Sequence, residues 1–215
     1  PKQSVLQNSE AKVVRLNIQK KGQTIGYIHG AGDLVPTSLR QIGFTVVELN
    51  DDDISPEKLA NFDAVILGIR AYNTNSRSKF YQKHLHKYVS NGGTLIAQYN
   101  TSHRVKVDQV GPYPIKLSRD RVTDENAEVR IIDKAHELLN FPNKISDSDF
   151  DGWVQERGLY FPNDWDDNYQ PIISMNDKNE SPKNGSLLIA KYGEGNFIYT
   201  GLSFFRELPA GVPGA

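Results

Sequence analysis

The chain has 215 residues, of which 25 are basic and 26 acidic, so its formal net charge is −1. Because no basic stripe stands out along it, the sequence argues against a nucleic-acid partner. It contains no cysteine, which excludes disulfides, thiolate zinc sites and catalysis by a thiol. No stretch approaches about 18 consecutive apolar residues, so we expect no membrane-spanning helix.

The first hundred residues alternate between strand-like and helix-like segments. Pro36 lies near the first turn of a predicted helix that ends at Gly43, and Ser55 is typical of an N-cap. A clearer helix is predicted over residues 76–91, where apolar side chains recur at helical spacing until a pair of glycines. The predicted strands are 24–28, 44–49, 63–67 and 94–98. This β-α-β-α-β-α-β order predicts a parallel, doubly wound sheet.

The second half predicts shorter strands around an irregular insertion. We expect Asp133 to cap a short helix that runs through Leu139. Residues 147–167 are rich in acidic and aromatic side chains and show no clear period, which predicts irregular structure. The predicted strands of this half are 128–132, 171–174, 187–191 and 196–200. The last two are expected to form a hairpin through the tight turn Gly193–Gly195.

These elements predict one α/β domain over residues 21–208. Its sheet is expected to be flavodoxin-like, doubly wound and mostly parallel, with helices on both faces and the irregular acidic and aromatic insertion. Apolar residues alternate over 12–18, so residues 1–20 are expected to be a linker or an edge strand. Residues 209–215 follow the last strand without a closing helix, which predicts a truncated C-terminal tail and favours a fragment of a longer protein.

Three short motifs point to binding chemistry, and each is incomplete. The turn His29–Asp33 lacks the third glycine of a dinucleotide motif, so we expect a tight turn before a helix. Asp147–Gly152 matches the first half of a calcium loop, but Gly158 stands where the bidentate glutamate belongs, which favours an acidic turn. His84 and His86 point to different faces of a helix, which argues against zinc. We therefore predict neither a metal nor a cofactor.

Polar residues that follow predicted strands are the best candidates for a ligand site, because sites in open α/β folds form outside the carboxyl ends of the strands. Tyr99 and Asn100 follow the fourth strand. Arg70 follows the third, where a guanidinium can bind a carboxylate, a phosphate or a sugar hydroxyl, or can pair with a loop acid. Ser203 follows the last strand but lacks a G-x-S-x-G motif, which argues against a catalytic serine.

The segment 153–161 surrounds Glu156 and Arg157 with large aromatic residues. It is either a cover over the end of the sheet, with Glu156 in a local ion pair, or a pocket wall that presents both charges to a polar ligand. We predict no catalytic residue in this chain. The candidate ligand-binding residues are Arg70, Tyr72, Tyr99, Asn100, Trp153, Glu156, Arg157 and Ser203.

Four segments carry a family resemblance. Residues 88–97 and 192–203, with the order of strands and helices, resemble the class I glutamine amidotransferase-like superfamily, and more closely its ThuA-like branch. Residues 68–73 and 153–161 resemble the domain that lies C-terminal to the catalytic part of bacterial PIG-L/LmbE-type deacetylases. The resemblance covers residues 20–208.

The resemblance implies that the catalytic pair of the amidotransferases is missing here. Their nucleophilic cysteine would stand at Tyr99, or at Asn100 if the register shifts by one residue. Phe205 stands where their histidine would, and only Glu207 of the family's His–Glu pair remains. Without both groups, hydrolysis of glutamine by a thiol is excluded. The metal motif of the deacetylases is absent as well, so the zinc site of such a parent protein would lie upstream.

These expectations favour a non-catalytic binding or accessory domain of a larger hydrolase of the PIG-L type, similar to N-acetylglucosaminyl deacetylases. Its ligand would be a small molecule or a glycan, in a crevice walled by Trp153 and Tyr72. The composition leaves the compartment open, and the resemblance favours an extracytoplasmic or periplasmic location in a bacterium.

Two other functions remain open. A hydrolase would use non-thiol groups such as His29, Asp33, Glu156 and Arg70 in acid–base or metal roles. It would require a bound metal or a contact between a histidine and a carboxylate near Tyr99. A purely structural or oligomerisation role would instead require a broad apolar patch and no crevice.

Overall fold

A central sheet of seven strands organises the part of the chain that the structure describes. The computed structural model describes residue 9 and residues 13–215. The strands are β1 Thr24–Ile28, β2 Thr45–Glu48, β3 Ala64–Leu67, β4 Thr94–Gln98, β5 Ile115–Val122, β6 Val129–Ile131, β7 Gly158–Trp165, β8 Tyr169–Pro171, β9 Ile173–Met175, β10 Leu187–Tyr192 and β11 Gly195–Thr200. The helices are α1 Val35–Gln41, α2 Pro56–Leu59, α3 Ala71–Thr74, α4 Ser78–Ser90 and α5 Phe204–Ala210.

The strand order in the central sheet is β2-β1-β3-β4-β11-β10-β8. Neighbours are parallel from β2 to β11, and β10 is antiparallel to both β11 and β8. The predicted fold class, a flavodoxin-like and mostly parallel sheet with helices, is therefore confirmed. Two small antiparallel ribbons, β5-β7 and β6-β9, are added to it.

Local signals in the first half lead to the predicted elements. Pro36 lies in the first turn of α1, where its missing N–H is not needed. Ser55 Oγ accepts a hydrogen bond from the backbone N–H of Lys58 and caps α2. Gly43 and Gly92 have φ of 92° and 107°, a left-handed backbone that stops α1 and α4 without the strain of a side chain.

The two faces of the sheet bury different sets of side chains, because successive strand residues point to opposite faces. On one face, α2 and α4 cover Leu95 of β4 and Tyr199 of β11, among others. On the other face, α1 and α5 pack beside Tyr27 of β1. The rest of this second face is covered by β6, β9 and the segment around Trp153. Helices thus lie on both faces, as predicted.

The acidic and aromatic insertion is present, but its second half is a strand rather than irregular structure. Residues 158–165 form β7, which pairs antiparallel with β5 through several register shifts. Neither strand is predictable from its sequence, because β5 is rich in charged residues and β7 contains Pro162. Both strands form because they pair with each other, not because of intrinsic propensity. Asp149 closes a capping box with Ser146, so the acids of the predicted turn serve a short 3₁₀ helix.

Two predictions in the middle of the chain are wrong in detail. The helix through Leu139 is a 3₁₀ turn, and His136, not Asp133, caps it: His136 Nδ1 accepts from the backbone N–H of Leu138 at 3.1 Å. The strand predicted at 171–174 is divided at Ile172 into β8 and β9, which belong to different sheets. The alternation of apolar and polar side chains in the sequence does not show with which other strand each half of this segment pairs.

The chain has a closing helix, contrary to the prediction. Helix α5 runs through residue 210 and ends at Gly211, whose φ is 69°. Phe205 and Leu208 place it against α1, which explains why a short helix that contains Pro209 is retained.

Residues 13–18 form no strand, whereas residue 12 lies outside the described residues, so the linker over 1–20 stays a prediction. Within residues 9 and 13–215, every helix is too short or too polar to cross a bilayer.

Candidate functional site

Two of the predicted turns meet at the carboxyl edge of the central sheet. The turn after β3 carries Arg70, and the turn after β4 begins at Tyr99. The backbone N–H of Arg70 donates to the carbonyl oxygen of Tyr99 at 2.8 Å. Because β3 and β4 are neighbouring parallel strands, this hydrogen bond fixes the two turns side by side. Arg70 is exposed, so its guanidinium is available at this edge.

Three aromatic rings, called here the aromatic cluster, surround the end of β4. Tyr99 stacks on Tyr160 of β7, with centroids 5.9 Å apart and an interplanar angle of 8°. Phe205 of α5 lies against the same ring at 5.2 Å. Sequence reasoning did not single out Tyr160. Tyr160 lies between the buried residues Leu159 and Phe161. Because successive strand residues point to opposite faces, this position could have predicted that the Tyr160 ring lies on the opposite side of β7.

Charged side chains lie beside the aromatic cluster. Arg206 Nε donates to Glu156 Oε1 at 3.2 Å, and its Nη1 donates to Gln155 Oε1 at 2.7 Å. Its guanidinium carbon stands 4.8 Å from the centroid of the Phe205 ring. The Glu156 side chain is 13% exposed, so its ion pair is partly shielded from water. The local-ion-pair interpretation of Glu156 is what the structure shows.

Tyr99 is a neutral phenol at ordinary pH. Burial raises the pKa of its hydroxyl, although the nearby cations Arg70 and Arg206 act in the opposite direction. A neutral phenol can donate and accept one hydrogen bond but is a poor nucleophile or base. The Tyr99 hydroxyl is therefore poorly suited to act as a nucleophile or a base.

Unusual backbone conformations concentrate at this edge. Of the five non-glycine residues with positive φ in the described part of the chain, three belong to the site. They are Arg70 at 58°, Gln155 at 70° and Tyr160 at 54°. Such left-handed residues carry a cost of about 1–3 kcal/mol each and cluster at binding and catalytic sites.

Three of the predicted site residues have structural partners instead. Asn100 is fully buried, and its Oδ1 accepts from the backbone N–H of Tyr72 at 2.9 Å. Tyr72 is itself fully buried in the core beneath α4. Trp153 packs against Phe150 and donates its indole N–H to the Asp149 carbonyl. The expected crevice wall of Trp153 and Tyr72 is thus replaced by two packed cores.

Arg157 and Ser203 are also inside the protein. The Arg157 guanidinium donates to the carbonyl oxygens of Ala127 and Phe150, which leaves it no free face for a ligand. Ser203 precedes α5, is fully buried, and its Oγ has no hydrogen-bond partner among the described residues. Of the eight predicted residues, the structure brings Arg70, Tyr99 and Glu156 together at this edge, where Arg70 is exposed, Glu156 is partly buried and Tyr99 is buried.

The glycine-containing turn after β1 is a tight turn, as expected. The backbone N–H of Ala31 donates to the Ile69 carbonyl at 2.8 Å, and Asp33 Oδ2 accepts from the Ile69 N–H at 3.2 Å. A Cβ on Gly30 would lie 2.0 Å from the Ile69 carbonyl oxygen. These contacts close the gap between β1 and β3, the point where the strand order reverses and where doubly wound folds bind ligands.

The groups named for a hydrolase are dispersed. His29 Nε2 bonds Glu48 Oε2 at 2.8 Å at the end of β1, which β3 separates from β4. Asp33 accepts from the hydroxyl of Tyr27 at 2.6 Å and is used in that contact. Across residues 9 and 13–215, no three His, Asp or Glu side chains are grouped to hold a metal ion.

Comparison with known proteins concerns the fold alone. No protein-family model matches the sequence, and no curated protein matches it significantly. STM3548, a cytoplasmic protein from Salmonella typhimurium, has a TM-score of 0.55 at 13% identity over 87% of this chain and 96% of its own. A thua-like protein from Bacteroides uniformis has a TM-score of 0.55 at 12% identity, covering 87% of this chain and 84% of its own.

A larger enzyme contains the same fold as one segment. The β-galactosidase from Rahnella sp. R3 has a TM-score of 0.50 at 14% identity, and the match covers 87% of this chain but 30% of that one. At such low identities the likeness extends to architecture and not to activity. The chain therefore shares the fold of a thua-like protein, the branch whose architecture its sequence resembles.

Proposed function

We propose that this chain is a binding domain of a larger protein and that a polar ligand contacts the aromatic cluster, Arg70 and Arg206. One observation carries the proposal. Tyr99 and Phe205, which the family resemblance equates with nucleophile and base, are neighbours in space with ring centroids 5.2 Å apart. This contact supports the alignment, because catalytic partners must be adjacent, and it supports the loss of both groups together.

The chemistry of these two residues supports binding over catalysis. A phenylalanine ring cannot accept a proton, and burial raises the pKa of the Tyr99 hydroxyl. The Arg206 guanidinium covers the Phe205 ring and is held by Glu156, so the base position is filled by a packed ion pair. What the edge offers is the partly exposed rings of Tyr160 and Phe205, the exposed Arg70 guanidinium and the part of the Arg206 guanidinium that its ion pair leaves in solvent.

That combination supports a glycan or another polyhydroxylated small molecule as the ligand. Aromatic surface can pack against the C–H face of a sugar, and guanidinium groups donate in a planar fork to hydroxyl or carboxylate oxygens. We infer a parent hydrolase of the PIG-L type from the resemblance of residues 68–73 and 153–161. The β-galactosidase match, in which this fold forms 30% of the chain, supports the view that the fold can be part of a larger hydrolase.

Calorimetric titration of the chain with chitotriose, an oligomer of N-acetylglucosamine, tests the ligand class. We expect saturable binding that Arg70→Ala weakens by about 10- to 100-fold, since hydrogen bonds to charged groups contribute about 1.5–3 kcal/mol. Arg104→Ala is the matched control, because Arg104 is also exposed and also has a φ of 58°. Equal weakening by both variants, or no binding by the native chain, would refute the proposal.

The hydrolase alternative is separated by a second assay. A binding domain releases no acetate and no sugar from chitotriose. Turnover that Glu156→Gln abolishes, with binding retained, would replace the binding proposal with a catalytic one.

A further inference from the structure

The charges around the Tyr99 hydroxyl do not balance. The charged groups that act most strongly on this oxygen are the guanidinium groups of Arg70 and Arg206 and the carboxylate of Glu156. The Glu156 carboxylate is already paired with Arg206. Arg70 is exposed and forms no ion pair with the carboxylates that the structure describes. One positive charge is therefore left without a partner at this edge.

The Arg206 guanidinium is held in one orientation and still has unused donors. Its Nε donates to Glu156, its Nη1 donates to Gln155 Oε1 at 2.7 Å, and its plane lies over the Phe205 ring. A guanidinium has five N–H groups, so three of them remain for another acceptor. The Arg206 side chain is 36% exposed. Because these contacts already restrict the side chain, a ligand that binds it loses little affinity to the ordering of Arg206.

The Tyr99 hydroxyl adds a donor of a different kind. Tyr99 is 8% exposed, and its hydroxyl keeps some contact with solvent and forms no hydrogen bond with the described residues. Burial raises the pKa of this hydroxyl, so it keeps its proton at neutral pH. The unused polar groups of the edge are therefore mainly donors. A carboxylate only accepts hydrogen bonds, whereas a sugar hydroxyl also requires an acceptor for its own proton.

We propose that the ligand of this edge carries a carboxylate, which binds Arg70, the Tyr99 hydroxyl and the unused N–H groups of Arg206. This inference rests on the proposed function, and it narrows the ligand from any polyhydroxylated molecule to an acidic one such as a uronic acid. The single excess charge favours a carboxylate over a phosphate monoester, which carries about −1.5 to −2 charges at pH 7. A planar carboxylate also matches the fork of a guanidinium.

A uronic acid suits both parts of the edge. Its carboxylate is attached directly to the sugar ring, so the charged group and the ring lie within one small unit. The partly exposed rings of Tyr160 and Phe205 both contact the Tyr99 ring, with centroids 5.9 and 5.2 Å from it. The sugar ring can therefore pack on this aromatic surface while its carboxylate reaches the guanidinium groups.

Two trisaccharides that differ in one carboxylate test the proposal. The first carries glucuronate between two N-acetylglucosamine units, and the second is its carboxyl-reduced form, in which glucuronate becomes glucose. In calorimetric titrations of the native chain we expect the acidic form to bind about tenfold more tightly, which corresponds to about 1.4 kcal/mol, because hydrogen bonds between charged groups are stronger than neutral ones. Added salt should lower this ratio, since it screens exposed charges.

Three variants change the charge balance in known directions. Arg70→Gln removes the unpaired cation, so the ratio of the two affinities should fall to about one. Glu156→Gln removes the carboxylate but keeps a carbonyl oxygen for Arg206, so the ratio should rise by about two- to fivefold, the effect of one partly exposed charge. In Arg104→Gln, the control, the ratio should stay at the native value, because Arg104 is also exposed with a φ of 58° but is not part of the proposed site. Thermal unfolding confirms that each variant folds.

Failure of this inference is distinguishable from failure of the proposed function. Equal affinities for the two sugars in the native chain would overturn the carboxylate site and leave the binding function standing. No binding of either sugar would overturn both. A ratio that falls equally in Arg70→Gln and Arg104→Gln, or that falls in Glu156→Gln, would also overturn the carboxylate site, because it would show a general attraction of anions to the surface or a structural effect.

Discussion

Replacing Arg157 with methionine removes a buried guanidinium that holds two backbone carbonyl groups. Arg157 is 5% exposed. Its Nε and Nη2 donate to the Ala127 carbonyl at 3.1 and 3.0 Å, and its Nη1 donates to the carbonyl of Phe150. Methionine keeps the apolar stem but none of these donors. The two carbonyls belong to different segments, so the guanidinium links the region before β6 to the region before β7.

The magnitude follows from the two carbonyls that lose their donors. Each buried acceptor left without a partner costs about 1–3 kcal/mol, which gives about 2–6 kcal/mol for the pair. Burial lowers the pKa of Arg157, so the cation carries a desolvation cost that methionine removes. We therefore expect a loss in the lower half of that range, about 2–4 kcal/mol, out of a total of about 5–15 kcal/mol for a typical domain.

Urea unfolding followed by circular dichroism measures this loss, with Arg119→Met as the control because Arg119 is exposed on β5. The midpoint should fall in Arg157→Met without a change in the slope m, and it should hold in the control. A free energy of unfolding within about 0.5 kcal/mol of the native value, the range of ordinary surface changes, would refute the structural role.

Three further outcomes follow from single contacts. Burial raises the pKa of Glu207 above its unfolded value, so its contribution to stability is present at low pH and is lost as pH rises through the folded pKa. Glu207→Gln should remove this loss in unfolding curves measured from pH 4 upward. Gly30→Ala should lower the free energy of unfolding by about 1–3 kcal/mol or more, because its Cβ would lie 2.0 Å from the Ile69 carbonyl oxygen. Arg70→Gly should raise the thermal midpoint, because glycine relieves a φ of 58°, while it weakens chitotriose binding. A lower midpoint in that variant would show that Arg70 supports the fold.

Local sequence patterns were sufficient to predict the strands and helices of the parallel half of the sheet. The strands up to β4 are short apolar runs bounded by turns, and each crossover carries its own cap or glycine. These signals act over a few residues, so a sequence displays them directly. The hairpin of β10 and β11 was predictable for the same reason, because Gly193 and Glu194 form a two-residue turn.

Elements that depend on distant partners were not predictable. The charged strand β5 exists because β7 pairs with it, and the two are separated by more than thirty residues of other structure. Helix α5 contains Pro209 and is short, and it persists because Phe205 and Leu208 pack on α1. In both cases tertiary packing overrides the local preference, which a single sequence does not display.

The sequence predicted the edge of the sheet at which the candidate site lies, but it did not predict most of the residues that form the site. Residues that follow parallel strands were expected to meet, and Arg70 and Tyr99 do. The prediction of Tyr72 and Trp153 as a wall failed because large aromatic residues near a site are equally suited to a core. Arg206 was missed because its ion pair with Glu156 joins residues 50 apart in sequence.

Chemical-shift mapping with chitotriose shows whether the edge formed by Arg70 and the aromatic cluster binds a ligand without cleaving it. In a titration of the isotopically labelled chain, we expect the largest amide shifts on Arg70, Tyr99, Tyr160 and Arg206, and we expect to recover the sugar intact. Shifts centred elsewhere, or no shifts at saturating sugar, would contradict it.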